Sequence, residues 1–148
     1  MVPISQSAIG IHRVKPYDKA ISSFTAALQA NRDRNIAFFI YSLRAAAYLG
    51  KGQLDKVLVD SSESIQLNPK YAPAYYYRGI AYSRTGNTDK SISDYTAAIQ
   101  LDPRYVGAYL NRGVEYSNKR NYKLALRDAT MAIGLNPKYA DAYHNRGI

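Results

Sequence analysis

Residues 71–104 read YAPAYYYRGIAYSRTGNTDKSISDYTAAIQLDPR, and residues 105–138 read YVGAYLNRGVEYSNKRNYKLALRDATMAIGLNPK. Laid over each other, the two stretches agree at 14 of 34 positions. The matches include Tyr75/Tyr109, Arg78/Arg112, Gly79/Gly113, Tyr82/Tyr116, Asp94/Asp128, Ala98/Ala132, Leu101/Leu135 and Pro103/Pro137. Residues 37–70 laid on 71–104 agree at 12, among them Tyr41/Tyr75, Arg44/Arg78, Tyr48/Tyr82, Gly52/Gly86 and Pro69/Pro103. A further copy opens at Tyr139 and runs to Ile148, and residues 18–28 match 89–99 at an offset of 71, three more than two periods. Self-similarity at a fixed period of this length marks a repeat array, in which one unit cannot cover its own apolar face and stacking does so.

Each unit reads as two helices. Within residues 72–85, Tyr75, Arg78, Gly79 and Tyr82 recur at i, i+3, i+4 and i+7, the spacing of one helical stripe. Gly86-Asn87 breaks the pattern, and residues 88–101 then place Ile92, Tyr95, Ala98 and Ile99 on one face. Asp102-Pro103 stops the second helix, because a residue before proline is pushed out of the α region. No stretch alternates as a strand does, so the fold class is all-α.

The period, the two-helix unit and the marker residues resemble the tetratricopeptide repeat over residues ~17–148. With Pro69, Pro103 and Pro137 counted as position 32, position 8 holds Ala45, Gly79, Gly113 and Gly147. Position 20 holds Ala20, Val57, Ser91 and Ala125, and position 27 holds Ala27, Ser64, Ala98 and Ala132. Slim side chains there let two helices approach; a large one would overpack them at a cost of about 1–3 kcal/mol. The resemblance implies a right-handed αα superhelix of antiparallel helix pairs forming one array over residues 1–148. Its units would be 1–36 with a degenerate first helix, 37–70, 71–104, 105–138 and a partial 139–148. Arg32 departs from the pattern in place of the first proline, and Arg120 in place of the fourth turn glycine.

Position 7, usually leucine in that family, is Arg44, Arg78, Arg112 and Arg146, and position 23 is Asp60, Asp94 and Asp128. A cation on an inward-leaning stripe needs a partner, so the expectation is a ladder in which each arginine meets an aspartate of its own or the adjacent unit. Ligand contacts in the family usually come from first helices, at positions 2, 5, 6, 9, 12 and 13. Thirteen of the 15 tyrosines fall at positions that the repeat accounts for; Tyr76 and Tyr77, at positions 5 and 6, do not. Tyr76 and Tyr77, with Leu110, Asn111, His144 and Asn145, are therefore the groove candidates. A chaperone-binding subgroup of the family clamps a C-terminal carboxylate with Lys, Asn and Arg, but the matching places here are Tyr76, Ile80, Asn111, Asp141 and Asn145. Binding of such tails is not expected.

The remaining chemistry is sparse. Two histidines and no cysteine leave no paired metal motif, no disulfide framework and no thiolate site, and neither GxGxxG nor GxxxxGK[ST] occurs. The expectation is a non-enzymatic scaffold with no cofactor and no metal, binding a protein or peptide. The alternative is a scaffold that self-assembles through open terminal repeats. The net charge of +9 is spread evenly: residues 1–74 hold nine basic against five acidic side chains, and 75–148 hold eleven against six. With no concentrated patch, nucleic acid is not the expected partner. No run approaches the ~20 apolar residues of a membrane span. Residues 1–19 show no charged segment leading into an apolar run, so a cytoplasmic setting is favoured, although the sequence names no compartment.

Overall fold

A computed structural model describes residues 16–30 and 33–139. Seven α-helices follow in chain order among these residues: α1 Pro16–Ala30, α2 Arg34–Gly50, α3 Leu54–Leu67, α4 Ala72–Arg84, α5 Thr88–Leu101, α6 Val106–Asn118 and α7 Tyr122–Leu135. No strand occurs among the described residues. The chain is an all-α superhelix of antiparallel pairs, α2/α3, α4/α5 and α6/α7, with α1 packed on α2. The first helices also touch in sequence, α2 to α4 and α4 to α6, whereas α3, α5 and α7 do not touch one another. First helices therefore line the inner side and second helices the outer.

Two turn types, repeated in each unit, set this geometry. After each first helix the chain passes through the left-handed region at Gly52 (φ 71°), Gly86 (φ 78°) and Arg120 (φ 60°). The following amide reaches back to the helix: Gln53 N to Tyr48 O at 3.0 Å, Asn87 N to Tyr82 O at 2.8 Å and Asn121 N to Tyr116 O at 2.8 Å. This is the Schellman arrangement, which favours glycine at the left-handed position. After each second helix Asn68, Asp102 and Asn136 stand extended before proline, with φ of −141°, −136° and −144°. Their side-chain oxygens accept from Lys70 N at 3.1 Å, Arg104 N at 3.0 Å and Lys138 N at 3.2 Å. Such local bonds are what Asn and Asp supply in turns.

The core lies along the helix seams. Ala45, Val57 and Ser64 of one unit, and Ser91 and Ala98 of the next, are fully buried. Position 8 is tight at Gly79 and in ordinary contact at Gly113. A Cβ on Gly79 would stand 2.8 Å from the Tyr95 ring, and one on Gly113 would stand 3.4 Å from Ala125 O. The first junction differs from a plain repeat boundary at 37. The three extra residues lengthen α2 at its start to 17 residues, and Asp33 caps it by accepting from Asn35 N at 2.8 Å. Among the described residues no helix is long and apolar enough to cross a membrane.

Candidate functional site

Among the described residues the position-7 arginines Arg44, Arg78 and Arg112 each meet the aspartate of their own unit, sixteen residues on, through two parallel hydrogen bonds. Arg44 donates to Asp60 at 2.7 and 2.8 Å, Arg78 to Asp94 at 2.8 and 2.9 Å, and Arg112 to Asp128 at 2.7 and 2.9 Å. The third guanidinium nitrogen reaches back one unit: Nη1 donates to Thr25 Oγ1 at 3.0 Å, Ser62 Oγ at 3.4 Å and Thr96 Oγ1 at 3.0 Å. Tyrosines at positions 4 and 11 cover the guanidinium from either side. Arg112, for example, lies 5.7 Å from the Tyr109 ring and 5.8 Å from the Tyr116 ring. Hydrogen bonds to Asp60 and Asp94 hold Arg44 and Arg78 more firmly protonated than usual. At Arg112 burial is the largest single influence and opposes the charge, but the hydrogen bonds to Asp128 and the attraction of its carboxylate, with smaller help from Tyr116 and Tyr109, together leave the net shift upward. The hydroxyls at position 25 escaped sequence reasoning: Thr25, Ser62 and Thr96 recur with the repeat, but the bond each makes runs to the arginine of the following unit.

Each of these guanidinium charges is paired with an aspartate, which leaves little unpaired cationic character on α4 and α6. On α4 and α6 the charged residues are Arg78, Arg84, Arg112 and Glu115. Glu115 is buried and accepts a short hydrogen bond from the Ser83 hydroxyl. Arg84, exposed at the end of α4, is the remaining charge.

Aromatic rings occupy the inner side instead. Tyr76 and Tyr77 are both half-buried, so they are neither idle surface nor full core. The Tyr76 ring lies 4.8 Å from Tyr105, 5.7 Å from Tyr77 and 6.1 Å from Tyr95, and its hydroxyl would stand 2.8 Å from a Cβ on Gly107. Tyr77 packs on the cluster of Ala45, Val57 and Ala81 between the α2/α3 pair and α4. Phe38 and Phe39 meet Tyr71 edge-on at 5.0 and 6.1 Å. The result is an aromatic band from α2 across α4 to α6. Asn111 donates to the Tyr76 hydroxyl at 3.4 Å, which brings two of the groove candidates together. Burial pushes the hydroxyls of Tyr71, Tyr76, Tyr77, Tyr95 and Tyr105 above their ordinary 10.0. Tyr71 and Tyr105 are among the tyrosines that the repeat accounts for, and they join the band because position 34 sits just ahead of each first helix.

Leu110, also a groove candidate, lies apart from the band. It lines an apolar cleft of about 460 Å³ with Gly113, Val114, Leu126 and Ile133 on the α6/α7 pair. His144, Asn145 and Arg146 lie outside the described residues.

Tetratricopeptide repeat models match residues 72–105 and 106–139. The chain is 34% identical over 61 residues to Heat shock protein STI1 of Saccharomyces cerevisiae, a match spanning 41% of this chain and about a tenth of that protein. Among solved structures, MamA superposes with a TM-score of 0.72 at 24% identity, covering 91% of this chain and 74% of that one. YrrB, described as a repeat protein of this kind with an unusual peptide-binding site, gives 0.72 at 24% identity, covering 89% and 66%. At such identities the two structures establish the fold.

Proposed function

We propose that this chain, which belongs to the tetratricopeptide repeat family, is a protein-interaction scaffold that holds a peptide along the inner side of its first helices. The observation that carries the reading is the aromatic band of Tyr71, Tyr76, Tyr77 and Tyr105, half-buried rings bordering a side on which the guanidinium groups are already paired. Tyrosine supplies large, rigid contact area with a polar tip at small entropic cost, as recognition surfaces require. Peptide binding by YrrB, a superhelix of similar shape, supports the same reading. Proteins of this family are generally non-catalytic scaffolds, which agrees with the proposed role.

The test is direct. Peptides selected from a random display library should lose ~10-fold or more in affinity on Tyr77→Ala, a loss typical of an interface anchor. Exposed outer-face changes such as Lys90→Ala should leave affinity unchanged. Selected peptides whose affinity ignores Tyr77 and Asn111 would refute groove binding.

A second reading, self-assembly, is favoured by the cleft on α6/α7. Val114 and Leu126, 54% and 70% exposed, sit there at repeat positions whose earlier counterparts Ile80 and Ile92 are partly covered. Assembly through this cleft should raise the mass seen by light scattering with concentration, and Leu126→Glu should abolish the rise. A monomer at every concentration would rule it out.

A further inference from the structure

We propose that the seam between α4 and α6 receives a single lysine ammonium of the bound peptide, held by Glu115; this rests on the groove reading above and specifies its ligand. Glu115 breaks the repeat at a packed position. Its counterparts one and two units back are Ala81 and Ala47, 0% and 6% exposed, and Glu115 itself is 4% exposed. It is also the sole acid on α2, α4 and α6. A covered carboxylate is costly unless a cation pairs with it. Yet no ion pair among the described residues includes Glu115. A local rule broken without compensation inside the protein implies a partner outside it.

The two oxygens of Glu115 differ. Oε1 accepts from the Ser83 hydroxyl of α4, so the bond joins two of the first helices that line the inner side. Oε2 meets no donor among the described residues, yet it is not among the sealed, unpartnered polar atoms, which are Ser42 Oγ and Ser61 Oγ. The small opening left to Glu115 therefore reaches this oxygen. Further acceptors stand beside it. The Tyr95 phenol is raised by burial and then by the charge of Glu115, and Ser83 and Asn111 lie within hydrogen-bonding reach of it.

These features choose among cations. An arginine fork needs both carboxylate oxygens for its parallel bonds, and one is already taken. A lysine ammonium is a compact point charge that a single free oxygen can bind, and its other protons can go to hydroxyl and amide oxygens nearby. Its apolar stem suits an aromatic wall such as Tyr76, which lies 6.1 Å from the Tyr95 ring and accepts from Asn111. The chain's net charge of +9 repels a peptide rich in cations, so the ligand is one lysine among neutral or acidic residues.

The experiment selects decapeptides from a display library against the whole chain. Labelled lysine peptides are then compared by fluorescence anisotropy with versions carrying norleucine, acetyl-lysine or arginine in its place. Norleucine and acetyl-lysine, which remove the charge, should each weaken binding by ~10-fold or more, and arginine should recover only part. Glu115→Gln keeps the shape and a partner for Ser83, so its thermal melt should not fall, and it should bind lysine and norleucine peptides alike. Selected peptides without lysine, a norleucine version that binds as tightly, or a lysine preference that survives Glu115→Gln would overturn the proposal. If such lysine-independent peptides still lose affinity on Tyr77→Ala, the groove reading stands and the ammonium site alone falls. If no peptide depends on Tyr77, both fall.

Discussion

Arg112 and Asp128 form the most buried rung of the ladder, with side chains 8% and 0% exposed and two bonds of 2.7 and 2.9 Å between them. Asp128→Ala leaves a guanidinium charge without its partner in a site that water barely reaches. The expected loss is about 3–5 kcal/mol in denaturant unfolding. A joint Arg112→Met, Asp128→Leu replacement should recover most of it, since well-packed apolar pairs often match a buried ion pair. The more exposed rung at Arg78 and Asp94 should lose less on Asp94→Ala. A double replacement as unstable as the single one would show that the pair is needed for more than satisfying its own charge.

Arg120 adopts φ 60° where Gly52 and Gly86 stand in the two preceding units. A side chain in the left-handed region costs roughly 1–2 kcal/mol, and only glycine escapes that strain. Glycine also loses more freedom on folding, by roughly 0.5–1 kcal/mol. Arg120→Gly should therefore stabilise the protein by a net of about 0.5–1 kcal/mol. Gly52→Ala and Gly86→Ala should destabilise it, although a Cβ at either meets nothing within 4 Å, because the obstacle is the backbone angle and not space. Urea midpoints of the three variants decide the matter; a less stable Arg120→Gly would mean that the arginine side chain contributes something its geometry does not reveal.

Gly79 and Gly113 occupy the same repeat position, yet alanine should act oppositely at the two. At Gly79 the new methyl would come 2.8 Å from the ring of Tyr95, itself 1% exposed and unable to move aside. At Gly113 the nearest atoms are Ala125 O at 3.4 Å and Asp128 Cβ at 3.5 Å, ordinary contact. Replacing a helical glycine by alanine otherwise gains about 1 kcal/mol. Gly113→Ala should thus be neutral or stabilising, while Gly79→Ala should lose about 1–3 kcal/mol to overpacking. Equal melting shifts for the two would contradict this account.

The difference between those glycines shows where sequence reasoning reached its limit. The repeat period and the small residues at positions 8, 20 and 27 were enough for helix pairs and their close seams, because both depend on local spacing. That Gly79 is forced by Tyr95, while Gly113 faces Ala129 and has room, depends on which residue the neighbouring helix presents. Tyr76 was likewise visible as an exception to the repeat, but its seat on Gly107 and beside Tyr105 lies across a unit boundary that no single-unit pattern encodes. The third arginine bond, to Thr25, Ser62 and Thr96, has the same inter-unit character.

Alkaline pH should dismantle the array through its tyrosines. Burial raises the hydroxyls of Tyr71, Tyr76, Tyr77, Tyr95 and Tyr105 above the ordinary 10.0, with Glu115 adding to the effect at Tyr95. Once the pH passes that ordinary value, the folded state holds protons that the unfolded chain has released. The stability contributed by keeping these phenols neutral is therefore complete below about pH 10 and falls as the pH climbs through the raised folded values. Urea midpoints measured at rising alkaline pH should stay level and then drop, with phenolate absorbance and loss of helix appearing together. Tyr95→Phe removes one such buried hydroxyl and should make the drop shallower. Phenolate absorbance that develops fully while the helices stay intact would mean that these hydroxyls ionise without cost in the folded array.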